Sequence, residues 1–296
     1  MSTTTVVQES TMASKHQQSL REANARPPVQ IIVNYWNSED DHIPAMDKSM
    51  PFLDRKMAFV RYQMDHEDRQ TVAVHDMRGR EDEFSLGKQG FQLVRRQAKT
   101  QSFANDEEIK TSYYPEVETL MKEITGAHKI HIYDHHIRHL SFQASLTAPS
   151  DPSSLDLPGP VRTVHIDDTA ACARNVITKN FPPSEATHLL AHPFSLINIW
   201  RPLKPVQKDP LGLIDARTVQ ASDRIEARLP TPDGEDNQVR KGERHQWWWV
   251  SGQGVDECVK EGFWGVPHSS FEVGGEGIDR ESVEVRCLCF FEEEKE

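Results

Sequence analysis

Apolar residues return along this chain in two rhythms. Alternation over residues 31–36, 71–75, 129–133, 194–200, 246–250 and 281–291 predicts β-strands. Over 114–126 the spacing changes: Val117, Leu120, Met121 and Ile124 recur at helical intervals, Pro115 and Glu116 stand near the start and Gly126 closes the run, which predicts a helix. A shorter helix is expected over 185–192 with Ser184 as its cap. Residues 76–80 read as a turn, and 84–94 as a turn with a short strand. The mostly charged stretch 217–244 carries Pro230, Pro232 and Gly234 and reads as loops between short strands. Residues 148–160, rich in Pro, Ser and Asp, read as a loop placed to cover whatever follows it. Residues 1–28 lack apolar periodicity and end in two prolines, so they are expected to form a flexible N-terminal arm, with 29–296 as a single domain. The expectation is a mainly β protein with flanking helices.

Charge and composition narrow the function. The 34 basic and 46 acidic residues leave a net charge of −12, which argues against nucleic acid or an anionic membrane as partner. No apolar run approaches the ~20 residues of a membrane helix. The first residues show no basic region followed by an apolar core, so no secretory signal is expected. The four cysteines, Cys172, Cys258, Cys287 and Cys289, form no CxxC pair and read as free thiols in a reducing, cytoplasmic setting. Self-association is left open. The nucleotide-binding and hydrolase signatures GxGxxG, GxxxxGK[ST] and GxSxG do not occur, and there are no internal repeats.

The candidate chemistry centres on residues 161–168. As a strand, this stretch points His165 and Asp167 to one face, about 7 Å apart along the chain. With His268 far downstream they make two imidazoles and a carboxylate, the ligand set that holds Fe(II) and leaves positions open for a co-substrate and dioxygen. Shortly after His268 come Arg280 and Ser282, which share a strand face and can converge on one carboxylate; Arg286 competes for that task. Such a pair suits the distal carboxylate of 2-oxoglutarate. His245 is a rival ligand but lacks an arginine-x-serine sequel. His135 and His136 are adjacent, would face apart on a strand, and read as structural. Arg201 is a candidate for a substrate or co-substrate carboxylate, with Tyr133 and Trp247 as candidate pocket walls.

A series of blocks then resembles the fungal AsaB-like family of hydroxylases and desaturases. These are Asp76-Met-Arg-Gly, Gly90-Phe-Gln-Leu-Val, Tyr113-Tyr-Pro-Glu-Val-Glu, Gly126-Ala-His-Lys-Ile-His-Ile-Tyr-Asp-His-His, Val164-His-Ile-Asp, Asn198-Ile-Trp-Arg-Pro-Leu, Pro267-His-Ser-Ser-Phe and Arg280-Glu-Ser-Val-Glu-Val-Arg. They follow in order from about residue 70 to the end. The resemblance implies a double-stranded β-helix core (a jelly roll, cupin-like), with Fe(II), 2-oxoglutarate and dioxygen as cofactor and co-substrates. It further implies hydroxylation, desaturation or oxidative cyclisation of a small-molecule secondary metabolite. In that scheme His165, Asp167 and His268 hold the metal, and Arg280 and Ser282 hold 2-oxoglutarate. Two rivals stand beside it: a jelly-roll metalloenzyme that does not use 2-oxoglutarate, and a non-catalytic small-molecule binding protein.

Overall fold

Alternating strands that are apolar on at least one face must stack, and here they stack as two facing sheets. The computed structural model describes residues 26–37, 49–100, 102–145, 159–228, 235–262, 266–274 and 276–292. Most of the expected arm and of the loop 148–160 lies outside them. The larger sheet runs, in spatial order, β1 (Val29–Trp36), β2 (Glu67–Asp76), β10 (Trp247–Trp249), β7 (Leu211–Ile214), β12 (His268–Ser270), β5 (His165–Ile166), β9 (Glu235–Val239) and β8 (Arg224–Arg228). The smaller sheet runs β3 (Phe91–Arg95), β11 (Glu257–Gly262), β6 (Phe194–Pro202), β13 (Ser282–Phe290) and β4 (Lys129–Arg138). Phe91, Leu93, Trp200 and Val259 from the smaller sheet pack with Leu211, Leu213 and Trp248 from the larger one, which closes a double-stranded β-helix.

Helices seal the outside of this sandwich. The helix expected over 114–126 forms as α2 (Tyr114–Thr125), after α1 (Phe52–Asp65), which the periodicity had not marked. Val117, Leu120 and Met121 are buried against Val283, Val285, Cys287 and Cys289 on the outer face of β13. Gly126 ends α2 at φ 73°, a left-handed conformation that costs glycine nothing. The second expected helix is α4, and it begins earlier than predicted, at Pro183–Leu190. Pro182, not Ser184, occupies the cap, because the fixed φ of Pro183 suits the first helical position. Before it lies α3 (Ala170–Asn180), capped by the Thr169 side chain, which accepts from the Cys172 backbone N–H. Together α3 and α4 cover Leu196, Leu288 and Phe290 at one end of the sandwich.

The Trp247–Trp249 strand divides as alternation requires. Trp248 joins the core between the sheets, while Trp247 and Trp249 turn to the other side. There the larger sheet curls on itself: Asn34 bridges Thr163, and Val164 N–H donates to the Asn34 carbonyl at 2.8 Å. Inside the curl lie Val33, Tyr35, Ile166, Ile214, Val239 and Phe271. Gly212 is required in this packing, since a Cβ there would come within 2.9 Å of the Phe271 ring. A polar relay ties the curl to the 242–247 turn. Trp247 Nε1–H donates to Tyr35 Oη at 2.9 Å, and Tyr35 Oη lies 3.0 Å from His245 Nδ1. Gly242 N–H also donates to His245 Nδ1, so that nitrogen is an acceptor and Nε2 carries the proton toward Asp223 at 3.1 Å. Every polar atom of the His245 ring is thereby used in structure.

Tyr35→Phe should cost about 1–3 kcal/mol in denaturant unfolding, because it leaves Trp247 Nε1 without its buried acceptor. Burial pushes the His245 pKa below its ordinary value of 6.5, against the pull of Asp223. The unfolded chain therefore binds the proton more readily, and this stability is intact above pH 6.5 and lost as pH falls below it. Unfolding curves at pH 7.5 and 5.5 should show the loss, with a shallower pH dependence in His245→Gln.

Candidate active site

The site begins where the short strand β5 meets β12. His165 and His268 are register partners there, so their side chains leave the sheet side by side with ring centroids 4.5 Å apart. The strand expected over 161–167 is shorter in the structure: it spans His165–Ile166, and Asp167 lies just beyond it in a bend. That bend folds the carboxylate back toward the rings. Asp167 Oδ1 sits 3.3 Å from His165 Nε2 and 3.6 Å from His268 Nε2, closer than an extended strand would bring it. His165 Nδ1 lies 2.7 Å from the Thr163 carbonyl and His268 Nδ1 3.2 Å from the Val266 carbonyl. A carbonyl only accepts, so both Nδ1 atoms carry a proton, and both Nε2 atoms face Asp167. Three ligand atoms each ~2.1 Å from one ion at right angles stand about 3 Å apart, and here all three lie within 4.8 Å of one another. Among the described residues, His165, Asp167 and His268 are the group of metal-ligating side chains that could hold an ion.

The smaller sheet supplies the other half. On β6, Asn198 and Trp200 face inward, and on β13 Ser282, Glu284 and Arg286 do the same opposite them. Asn198 Nδ2 donates to Asp167 Oδ2 at 2.7 Å, and Arg286 pairs with the same oxygen at 3.2 Å. Burial would raise the Asp167 pKa, yet Arg286 and His268 hold it well below the usual carboxylate range. Asp167 is therefore ionised, with Oδ2 engaged and Oδ1 turned to the imidazoles. Arg286 also donates from Nε to Glu284 at 3.1 Å, so its charge is spent on two carboxylates.

Arg280 is in the opposite condition. It is 4 % exposed and stacks 5.3 Å from the Trp200 ring, with Nη1 donating to the Asp209 carbonyl at 2.7 Å. Its Nε and the Ser282 Oγ are buried without a hydrogen-bond partner, and among the described residues no carboxylate pairs with it. Burial and the neighbouring Arg138 push its pKa down to about 9 against the pull of Asp209 and Glu284, so the guanidinium is still charged at neutral pH. A narrow cavity of about 20 Å³ connects it with both imidazoles, bordered also by Arg138, Trp200 and Glu284. Such a gap admits a small diacid only as the flexible Arg138 and Glu284 side chains give way. An orphaned cation and hydroxyl beside a cluster of lone pairs fit a ligand that chelates a metal at one end and presents a carboxylate at the other.

The remaining sequence candidates separate. Tyr133 reaches the edge of the site: β4 bulges there, since Arg286 pairs with Asp134 and Cys287 with Ile132. Its hydroxyl donates to Asp168 Oδ2 at 3.0 Å, and Cys172 Sγ donates to Asp168 Oδ1. Arg201 does not reach the site. Alternation along β6 turns it to the outer face, where it bonds Tyr113 and two backbone carbonyls. Trp247 is likewise in the curl of the larger sheet and away from the cluster. His135 hydrogen-bonds Tyr114 Oη and His245 serves the relay above, so neither competes as a ligand. Asn198, Glu284 and Asp168 were not singled out as functional. The polar series 280, 282, 284, 286, set against apolar 283, 285, 287, 289, was the available signal for an inward-facing polar wall.

A jelly roll with two imidazoles and a carboxylate at its mouth defines a class of metal-dependent oxidoreductase scaffold. Comparison with known proteins narrows it. A family profile described as an oxidoreductase/YMDC permease-like domain matches residues 33–290. The hydroxylase/desaturase efuI of Hormonema carpetanum is 32 % identical over 253 residues, covering 76 % of this chain and 85 % of the relative. The alpha-ketoglutarate-dependent dioxygenase phiK of a fungal species is 31 % identical over 266 residues, covering 84 % and 94 %. The chain belongs to this fungal hydroxylase/desaturase family of iron- and 2-oxoglutarate-dependent oxygenases. A solved structure of the iron and alpha-ketoglutarate-dependent endoperoxidase NvfI shares the fold, with a TM-score of 0.72 over 90 % of this chain and 99 % of that one at 23 % identity. Among the described residues no helix is long and apolar enough to cross a membrane.

The two buried arginines predict opposite stability effects. Arg286→Met strands the carboxylates of Asp167 and Glu284 and should destabilise the metal-free protein by about 3–5 kcal/mol. Arg280→Met removes a buried charge that pairs with no carboxylate and should be near neutral or stabilising in the same urea titration.

Proposed function

We propose that the protein is an Fe(II)/2-oxoglutarate-dependent dioxygenase that oxidises a C–H bond of a small-molecule secondary metabolite, by hydroxylation, desaturation or oxidative cyclisation. The observation that carries this reading is the pairing of a preorganised His165–Asp167–His268 face with the orphaned Arg280 and Ser282. Bound iron, with dioxygen and 2-oxoglutarate, supplies oxidising power toward an unactivated C–H bond as 2-oxoglutarate becomes succinate and carbon dioxide. His165, Asp167 and His268 hold the metal through Nε2, Oδ1 and Nε2. Asn198 and Arg286 keep Asp167 Oδ2 engaged, which favours one-oxygen ligation and leaves coordination positions free. Arg280 and Ser282 receive the distal carboxylate of 2-oxoglutarate. Arg280 is preferred to Arg286 for this task because the latter already serves two carboxylates. Leu196, Val266 and Ile166 line a small apolar recess beside Asp167 and His268 and limit water at the reacting side of the site.

The four buried, free cysteines support a reducing compartment, and we place the enzyme in the cytoplasm as one catalytic domain over residues 29–296.

Fe(II) and then 2-oxoglutarate added anaerobically to metal-free protein should give a weak visible charge-transfer band. The band should vanish in His165→Ala. Metal binding without any band would turn the assignment toward a metalloenzyme that does not use 2-oxoglutarate, and no metal binding would defeat it. Arg280→Ala should raise the 2-oxoglutarate concentration for half-saturation by roughly 10–150-fold, the equivalent of losing a charge-assisted contact. Asn198→Ala should weaken Co(II) binding by about 10–100-fold through the freed carboxylate oxygen.

A further inference from the structure

Arg201 was expected in the active site and lies instead behind it, where it borders a cavity of about 940 Å³. The floor and sides of this cavity include Phe103, Ile109, Ile137 and Leu203, and polar groups come from Thr100, Ser102 and His139. We infer that this cavity is a second ligand site, separate from the His165–Asp167–His268 centre. Its ligand is a small organic monoacid whose carboxylate meets Arg201 and whose apolar body lies against Phe103 and Ile137.

The argument rests on the condition of Arg201. It is 3 % exposed. Nε donates to Tyr113 Oη at 2.9 Å, and Nη1 donates to the carbonyls of Arg96 at 2.8 Å and Val255 at 2.7 Å. Among the described residues Nη2 has no hydrogen-bond partner and no carboxylate pairs with the guanidinium. A buried guanidinium needs compensating partners, and here Tyr113 and the more distant Glu116 hold the Arg201 pKa above its ordinary value against the cost of burial. Three bonds to neutral groups fix the fork at the border of the cavity, so an incoming carboxylate meets a guanidinium that needs no reordering. The volume is in the range of roughly 300–1,000 Å³ typical of small-molecule sites.

The surrounding charges choose the kind of acid. Of the bordering carboxylates, Glu281 pairs with Lys204 at 2.5 Å and Asp106 with Lys110 at 3.3 Å. Asp256 stands exposed at the mouth. It repels a dianion more than a monoanion, and the aromatic and aliphatic walls favour an apolar tail. Separation from the active centre follows from strand alternation: Trp200 faces inward to stack on Arg280, and the next residue, Arg201, faces outward.

Isothermal titration of the full chain with octanoate, and with octanamide as its uncharged counterpart, tests the inference. Octanoate should saturate one site, and octanamide should bind at least about tenfold more weakly. Arg201→Met should reduce octanoate to the octanamide level, while Arg280→Ala should leave octanoate binding unchanged. Arg201 also ties two loops together, so a second variant leaves it in place: Ala104→Glu, on the exposed cavity wall, adds a carboxylate that repels the anion and should weaken octanoate at least about threefold while leaving octanamide unchanged. The inference fails if octanoate shows no saturable binding, if octanamide binds equally well, if Ala104→Glu leaves octanoate binding unaffected, or if Arg280→Ala abolishes it. None of these results bears on the iron and 2-oxoglutarate reading, which the charge-transfer band tests independently.

Discussion

The Asp167 carboxylate is the junction on which both halves of this molecule depend. One oxygen faces two imidazoles carried by the larger sheet, and the other is gripped by Asn198 and Arg286 from the smaller sheet. A buried carboxylate is tolerable only with such partners, and they come from opposite walls of the sandwich. The spacing of the sheets and the aim of the proposed ligands are therefore set together. Helix α3 begins at once after this junction, and its Cys172 thiol and the Tyr133 hydroxyl hold the neighbouring Asp168. The end of the sandwich nearest the site is thus tied down by hydrogen bonds as well as by the apolar cover of α3 and α4.

Three arginines show how burial separates structure from function. Arg286 is buried and satisfied, between Asp167 and Glu284, and its work is to keep a carboxylate in place. Arg280 is buried and unsatisfied, with an orphaned nitrogen and an orphaned serine hydroxyl at hand. Arg201 is buried and satisfied only in part, by neutral acceptors on the other side of the sheet. An unpaired cation inside a folded protein is stored binding energy for an anion. The smaller sheet thus carries buried arginines on both of its faces.

Family membership places iron and 2-oxoglutarate chemistry on this scaffold, and the shared jelly roll carries it. What distinguishes one member from another is the shape of the space around the reacting centre. Here a polar wall on β13 and β4 faces an apolar recess formed by Ile166, Leu196 and Val266. A substrate has to match both sides.

The sequence by itself determined the local structure and the chemical inventory. Periodicity is a local property, so β4, β6 and β13 of the smaller sheet, the helix α2 with its Gly126 terminus and the inside–outside division of Trp247 and Trp248 were legible, whereas β11 was not. The ligand trio and the Arg280–Ser282 pair were legible as residue types in a familiar order. Only the tertiary structure decided which of these groups meet. Asp167 turned out to leave its strand, because a bend after a two-residue pairing closes the distance to His165 that an extended chain would hold open. Arg201 faces outward, away from the site expected for it, while Arg286 faces inward but serves Asp167 and Glu284, since which face of a strand looks inward depends on the layers packed against it. The role of Asn198 was invisible for the same reason: its partner Asp167, 31 residues away, is fixed by the pairing of sheets, which no local pattern specifies.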